Sequence, residues 1–148
     1  MTGPTGSDIT RIQRDDVGVR YVEVVDEIAQ IQSSWPKLET AVGSLKGRKF
    51  LAAFDPVHGW YRACVVAREE ATPEELALPV FVLPGGEFLR VRLRGDPPRV
   101  YDEIAPSYDR LVASGERDDT RPSIESYRRL DTIDVLMPVK QVGRFSDE

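Results

Sequence analysis

Cysteine and histidine are almost absent from this sequence, and their scarcity excludes several kinds of chemistry. The 148 residues contain one cysteine, Cys64, and one histidine, His58. A single cysteine cannot form a disulfide within the chain, which is typical of a protein from a reducing compartment. Cys64 lies in the apolar run ACVVA, so we expect an inert core thiol. We expect His58 to lie in a hairpin turn rather than to bind a metal or to serve a Ser-His-Asp triad, and we expect no cofactor.

Long apolar runs and an excess of basic residues are also lacking. No window approaches the roughly 20 apolar residues of a membrane helix, and the polar start MTGPTGSDITRIQRDD has no secretory signal. We therefore expect a cytoplasmic protein that does not contact the membrane. The net charge of −5 argues against a nucleic-acid partner, which requires a basic surface, and suits neutral or cationic small molecules better.

The pattern of apolar residues predicts alternating strands and helices. Residues 1–16 lack periodicity and are expected to be a flexible tail, as are residues 141–148. A strand from Val17 is followed by a helical stripe, a hairpin of two strands at 47–55 and 59–67, and a connector with one helical turn at 73–76. The same order begins again after PGG: a strand at 87–94, a helix near 98–113, and strands at 123–130 and 132–140.

The two halves form an internal repeat. A shift of 73 residues places one helical stripe on the other and SWPKL (34–38) on SYDRL (107–111). The same shift places Phe50, Ala52 and Phe54 on Ser123, Glu125 and Tyr127, and 59–65 on 132–138, while the first strands need an offset of about 69. We therefore predict an α+β fold of two tandem β-α-β-β modules related by a pseudo-twofold axis, with an antiparallel sheet, two helices and a central cleft. Module one spans about 17–70 and module two about 84–140.

Glu125 is the residue in this pattern that most needs an explanation. In RPSIESYRRL (121–130), strand alternation places Ser123, Glu125 and Tyr127 on one face. If that face lines the cleft, Ala52 leaves room beside the carboxylate, and Phe50, Phe54 and Tyr127 supply aromatic walls. A carboxylate in such a place favours a cation or a hydrogen-bond donor. The alternative is a solvated glutamate paired with Arg128 or Arg129.

The order of these features resembles the GyrI-like (gyrase-inhibitor-like) domains, which also serve as effector-binding domains of AraC-type and MerR-type regulators. The residues that carry the resemblance are PGGEFLRVRLRG, the stripe in VYDEIAPSYDRLVASG, the Pro-x-x-Glu-x-Tyr pattern at Pro122, Glu125 and Tyr127, and the end of the last strand at Pro138 and Val139. The resemblance covers about residues 17–140. No helix-turn-helix precedes the domain in this sequence, so direct DNA binding is not expected.

The resemblance implies a cleft for lipophilic, cationic or planar compounds, with Glu125 as the polar anchor. The expected ligand-binding residues share a position on the proposed cleft face or at its mouth: Glu125, Tyr127, Trp60, Tyr108, Phe54, Trp35 and Ala52. Because consecutive strand residues face opposite ways, only one of Trp60 and Tyr61 can line the cleft.

Three functions remain open at this point. The first is a stand-alone domain that senses or sequesters lipophilic small molecules of the multidrug type. The second is a hydrolase of reactive cyclopropane-bearing natural products, with Glu125, Tyr108 and Trp60 as its catalytic set, as the resemblance to the broader family implies. The third is a gyrase-inhibitor-like interaction module with a protein partner or a second copy of the chain.

Overall fold

The computed structural model describes residues 8–129 and 131–140, which form one curled antiparallel sheet with helices on one face. The strands are β1 (Thr10–Arg14), β2 (Val17–Val25), β3 (Phe50–Asp55), β4 (Trp60–Val66), β5 (Val80–Leu83), β6 (Gly86–Arg94), β7 (Ser123–Arg129) and β8 (Thr132–Pro138). The α-helices are α1 (Ile28–Val42), α2 (Pro73–Leu76) and α3 (Ile104–Ser114), and a 3-10 helix at Arg99–Glu103 precedes α3. The α+β class expected from the sequence is confirmed.

The order of the strands has the symmetry that the sequence repeat predicts. The sheet runs β1-β6-β8-β7-β3-β4-β2-β5, so β3 and its equivalent β7 meet at the centre. Their register pairs Phe50 with Tyr127, Ala52 with Glu125, and Phe54 with Ser123. A shift of 73 residues converts the first of these pairs into the last and leaves the middle pair unchanged. The pseudo-twofold axis therefore passes between Ala52 and Glu125.

The last strand of each module departs by one residue from the expected alignment. The sequence shift places residues 59–65 on 132–138, whereas the cross-strand registers place Trp60–Val66 there, at an offset of 72. Between equivalent paired residues the β7–β8 hairpin has one residue fewer than the β3–β4 hairpin, since nine residues separate Glu125 from Val135 and ten separate Ala52 from Ala63. The offset of 69 for the first strands is confirmed, because Val17–Val25 corresponds end to end with Gly86–Arg94.

One edge strand extends each module beyond the predicted β-α-β-β unit. The expectation of a flexible tail is wrong for Thr10–Arg14, which form β1 and pair with β6. Strand β5 lies in the expected connector and pairs with β2. The registers match at the offset of 69, since Val17 pairs with Leu83 and Gly86 pairs with Arg14. The edge strand that precedes each module in sequence therefore pairs with the other module, β1 with β6 and β5 with β2. Residues 1–7 and the predicted tail 141–148 lie outside the described residues.

The helices pack on the strands to either side of the sheet centre, on one face. They leave the two central strands, β3 and β7, uncovered between them. Helix α1 packs on β2 and β4, and α3 packs on β6 and β8. The stripe residues Leu38 and Leu111 are fully buried, and they are equivalent in the repeat. Pro36 lies inside α1, and Pro106 is the third residue of α3, where its missing N–H costs little. The two helices thus form the walls of a groove whose floor is β3 and β7.

Two equivalent arginines fasten the modules from positions just before the central strands. Arg48 donates two hydrogen bonds of 2.7 Å to Glu75 of α2, and the two side chains are 2% and 0% exposed. Arg121 donates to the carbonyl oxygens of Gly85, Glu87 and Val139 and to the Asp118 carboxylate. Burial of these charges is tolerated because each guanidinium donates several hydrogen bonds, at least one of them to a carboxylate.

Candidate functional site

Glu125 lies at the centre of the groove floor, beside the pseudo-twofold axis. Strand alternation places it on the helix side of β7, and its cross-strand neighbours are Ala52 of β3 and Val135 of β8. Ala52 is fully buried and small, so it does not cover the carboxylate. Glu125 itself is half-buried. A ligand that enters between the helices would therefore meet this carboxylate.

Aromatic rings surround the carboxylate on the same face. The Trp35 ring of α1 meets the Tyr127 ring edge to face at 5.4 Å and the Phe50 ring at 6.3 Å. On the opposite wall, the Tyr108 ring of α3 meets the Phe54 ring at 5.2 Å. Trp35 and Tyr108 occupy equivalent positions in the two helices, so the repeat itself places one aromatic residue on each wall.

A short chain of hydrogen bonds joins the floor to the α1 wall. The Tyr127 hydroxyl donates to Glu125 Oε1 at 2.5 Å. Trp35 Nε1 donates to the Tyr61 hydroxyl at 3.0 Å, and a side-chain interaction links Tyr61 to Tyr127. The hydroxyl of Tyr108 is engaged elsewhere, with Ser123 Oγ at 2.7 Å and as acceptor from Arg117 Nε at 3.0 Å. The hydrogen-bond partner of the Glu125 carboxylate is therefore the Tyr127 hydroxyl.

No cationic side chain neutralises Glu125 within residues 8–129 and 131–140. Arg128, which the sequence offers as a partner, instead approaches Asp134 on the other face of the sheet. Burial raises the pKa of Glu125 to about 7, although the Tyr127 hydrogen bond lowers it and the charge of Asp26 raises it further. Burial also raises the pKa of Asp26. The groove therefore holds a carboxylate whose ionised form lacks a counter-charge.

The structure brings together six of the seven residues predicted for the cleft and separates one. Glu125, Tyr127, Tyr108, Phe54, Trp35 and Ala52 contact one continuous group on the helix face or lie beside it. The expectation for Trp60 is wrong, because it lies on the opposite face and stacks with Arg62. Its neighbour Tyr61 takes the place on the groove side. This outcome also removes Trp60 from the catalytic set expected for a hydrolase.

Two contributors to the site were not predicted from sequence. Asp26 precedes α1, where an acidic residue is ordinarily interpreted as a helix-start signal, and only the fold brings its charge near Glu125. Tyr61 was one of two possible choices, and the strand register decides between them.

The two remaining potentially reactive side chains, His58 and Cys64, lie away from the groove in a turn and in the core. His58 Nδ1 lies 2.9 Å from Asp55 Oδ2 in the β3–β4 turn, and Cys64 is buried, which raises its pKa to about 12. Over the described part of the chain, no cluster of potential metal ligands forms. None of the helices in that same part is both long and apolar enough for a membrane span.

Solved structures share this fold at low sequence identity. An integron cassette protein from Vibrio cholerae, VCH_CASS2, aligns with a TM-score of 0.72 and 14% identity over 89% of this chain and 95% of its own. SAV2435, solved with bound tetraphenylphosphonium, aligns with a TM-score of 0.66 and 10% identity over 95% and 98% of the two chains. The EcmrR C-terminal domain aligns with a TM-score of 0.62 and 12% identity over 91% and 98%.

These similarities concern the fold, which is consistent with that of GyrI-like domains. No family model matches the sequence, and no curated protein does.

Proposed function

We propose that this chain is a small-molecule-binding domain of the GyrI-like, effector-binding type, and that its groove takes lipophilic cations with Glu125 as their anchor. The observation that carries the proposal is a half-buried carboxylate without a cationic partner, at the centre of an aromatic groove. The solved structure of SAV2435 with tetraphenylphosphonium supports the choice of ligand class, because that protein shares the fold.

The charge of the groove favours a cation over a neutral or anionic compound. Ionised Glu125 is costly in the empty site because burial removes its water. A bound cation would restore a counter-charge, and the second carboxylate at Asp26 adds to the attraction. The faces of Trp35, Tyr127 and Tyr108 can contribute about 0.5–2 kcal/mol each through cation–π contact. A delocalised organic cation satisfies both requirements without needing full hydration.

The test compares two ions of nearly equal shape and opposite charge, tetraphenylphosphonium and tetraphenylborate. Calorimetric titration at pH 8, where Glu125 is mostly ionised, should give saturable binding of the cation and none of the anion. Glu125→Gln keeps the shape and removes the charge, so cation affinity should fall by about 1.5–3 kcal/mol, the Coulomb energy of two unit charges about 6–10 Å apart at an effective dielectric constant of about 20. Glu69→Gln, an exposed change in the β4–α2 connector, alters the net charge equally and should leave affinity unchanged.

A second variant tests the location independently of charge. Ala52→Leu places a branched side chain opposite Glu125 and should block the cation by filling the floor of the groove. Equal binding of the two tetraphenyl ions, or equal affinity losses in the Glu125 and Glu69 variants, would contradict the proposal.

Hydrolysis of a reactive ligand remains a second candidate because one feature of Glu125 favours it. A carboxyl group with a pKa of about 7 can act as a general base on water near neutral pH. The catalytic set would then be Glu125 with Tyr127 and Tyr61 rather than with Trp60. Product formed in excess over protein from a cyclopropane-bearing electrophile, and lost in Glu125→Gln, would assign an enzyme. Stoichiometric binding without turnover would leave a binding domain.

A further inference from the structure

The sheet face opposite the helices carries one ion pair in each module, and the two pairs have opposite polarity. In module one, Glu23 of β2 accepts from Arg62 of β4 at 2.7 Å. At the equivalent positions of module two, Arg92 of β6 donates to Asp134 of β8 at 2.7 and 3.0 Å. The repeat has therefore kept the cross-strand pair and exchanged its charges.

The surroundings of the two pairs differ more than the pairs themselves. In module one the Arg62 guanidinium lies over the rings of Tyr21, Trp60 and Phe81, at 4.3, 4.2 and 4.6 Å from their centres. The Arg62 guanidinium is therefore stabilised by three aromatic rings and by the Glu23 carboxylate.

In module two the equivalent places hold further arginines. Arg90 corresponds to Tyr21, and Arg128 corresponds to Asp55 of module one. Arg14 of β1 adds its charge from the sheet edge. We call Arg14, Arg90, Arg92 and Arg128 the arginine cluster.

The positive charge of the arginine cluster is only partly balanced by carboxylates. Asp134 is a carboxylate that pairs with the cluster, and each of its oxygens accepts a hydrogen bond from Arg92. Arg128 approaches it only to 3.9 Å, and its side chain is 54% exposed. Arg90 donates through Nε to the neutral Thr10 hydroxyl at 3.2 Å.

Arg14, on the edge strand β1, likewise has its positive charge incompletely balanced by carboxylates. Burial lowers its pKa, the charge of Asp134 raises it, and the charge of Arg128 lowers it. By strand alternation Arg14 lies on the same face as Thr10, whose hydroxyl accepts from Arg90, and the four arginines outnumber Asp134 on a chain whose net charge is −5. Like charges held together in this way favour an external anion, and guanidinium groups suit planar carboxylates and phosphates.

We infer that the arginine cluster is a binding site for a small multivalent oxyanion, a phosphate-bearing or polycarboxylate compound. The site lies on the sheet face opposite Glu125, so it is separate from the proposed cation groove. A few guanidinium groups on an acidic chain match a compact di- or trianion better than a nucleic acid, which requires an extended basic surface.

The experiment titrates the full chain with pyrophosphate and, separately, with citrate, each at constant ionic strength adjusted with chloride. Calorimetry should show saturable binding of at least one of them, and the stronger of the two identifies phosphate or carboxylate chemistry. In the double variant Arg14→Gln with Arg128→Gln, affinity should fall at least tenfold. The matched control is Arg99→Gln, which removes an exposed arginine from the 3-10 helix on the other face and should bind like the unmodified chain.

Thermal unfolding without anion provides the second measurement. Removing Arg14 and Arg128 should leave the melting temperature unchanged or raise it, because repulsion between guanidinium groups is relieved, so a loss of binding cannot be attributed to unfolding. Absence of saturable binding for both anions, or an equal loss in the Arg99 variant, would overturn the inference. Neither result depends on whether the Glu125 groove binds cations.

Discussion

Replacing Glu125 with glutamine should change how stability depends on pH, and the size of the change follows from the site. The pKa of Glu125 is about 7 in the folded protein and about 4.5 in an unfolded chain. Because the folded state holds this proton more tightly, the unfolded state releases it first as the pH rises. The group therefore destabilises the fold progressively between about pH 4.5 and 7. At about 1.4 kcal/mol per pKa unit, the total is about 3 kcal/mol.

The difference between the two proteins isolates this effect from every other titrating group. Urea unfolding followed by tryptophan fluorescence from pH 4.5 to 8.5 should show the variant gaining stability over the unmodified chain across that window, and the gain should level off above pH 7 to 8. The slope m should stay the same in both proteins, since the area exposed on unfolding does not change. Glu69→Gln should show no such trend. A difference that stays within about 0.5 kcal/mol at all pH values would mean that Glu125 is solvated.

Three further results are expected. Tyr127→Phe removes the hydrogen bond that lowers the pKa of Glu125, so in this background the gain from Glu125→Gln should still begin near pH 4.5 but grow larger and level off at higher pH; an unchanged plateau would show that the hydroxyl does not act on the carboxylate. Deleting residues 1–15 removes β1 and its ladder with β6, so thermal unfolding should begin several degrees lower; an unchanged melting temperature would contradict the assignment of this strand. Glu75→Gln leaves Arg48 buried without a charge partner and should cost about 3–5 kcal/mol in chemical unfolding, most of it recovered by combining Glu75→Leu with Arg48→Met. If the double replacement is as unstable as the single one, the cost is not electrostatic.

The fold was largely predictable because its main signal is a repeat of hydrophobic pattern. The helical stripes around Leu38 and Leu111 and the alternating strands are local features, and each half supports the reading of the other. The two edge strands were not predictable in this way. In β1 only Ile12 among TRIQR is apolar, and β5 is four residues long with two exposed valines, Val80 and Val82. Their strand structure depends on partners about 60 to 80 residues away in sequence.

Site residues could be predicted from sequence where alternation along one strand was enough to group them. They could not be predicted where the pairing register between two strands decides which side chain faces the groove. Alternation correctly grouped Glu125 with Tyr127, and the repeat placed Ala52 beside them. Choosing between Trp60 and Tyr61 required the ladder between β3 and β4, because consecutive residues offer both faces equally. The charge of Asp26 acts through space from another strand end, so no local pattern could indicate it.

The position of Ala52 and Glu125 beside the pseudo-twofold axis has a consequence for how such a groove can be built. The exchange of β1 and β5 is the arrangement expected of a strand-swapped pair of identical subunits, and a half-length chain could assemble the same sheet as a homodimer. In that dimer the two axis residues would have to be identical. Two glutamates would face each other across one ladder position and repel, whereas two alanines would leave no charge for a ligand. When both copies belong to one polypeptide, the two residues beside the axis can differ. One strand can then supply a small residue, Ala52, and the other a charged residue, Glu125.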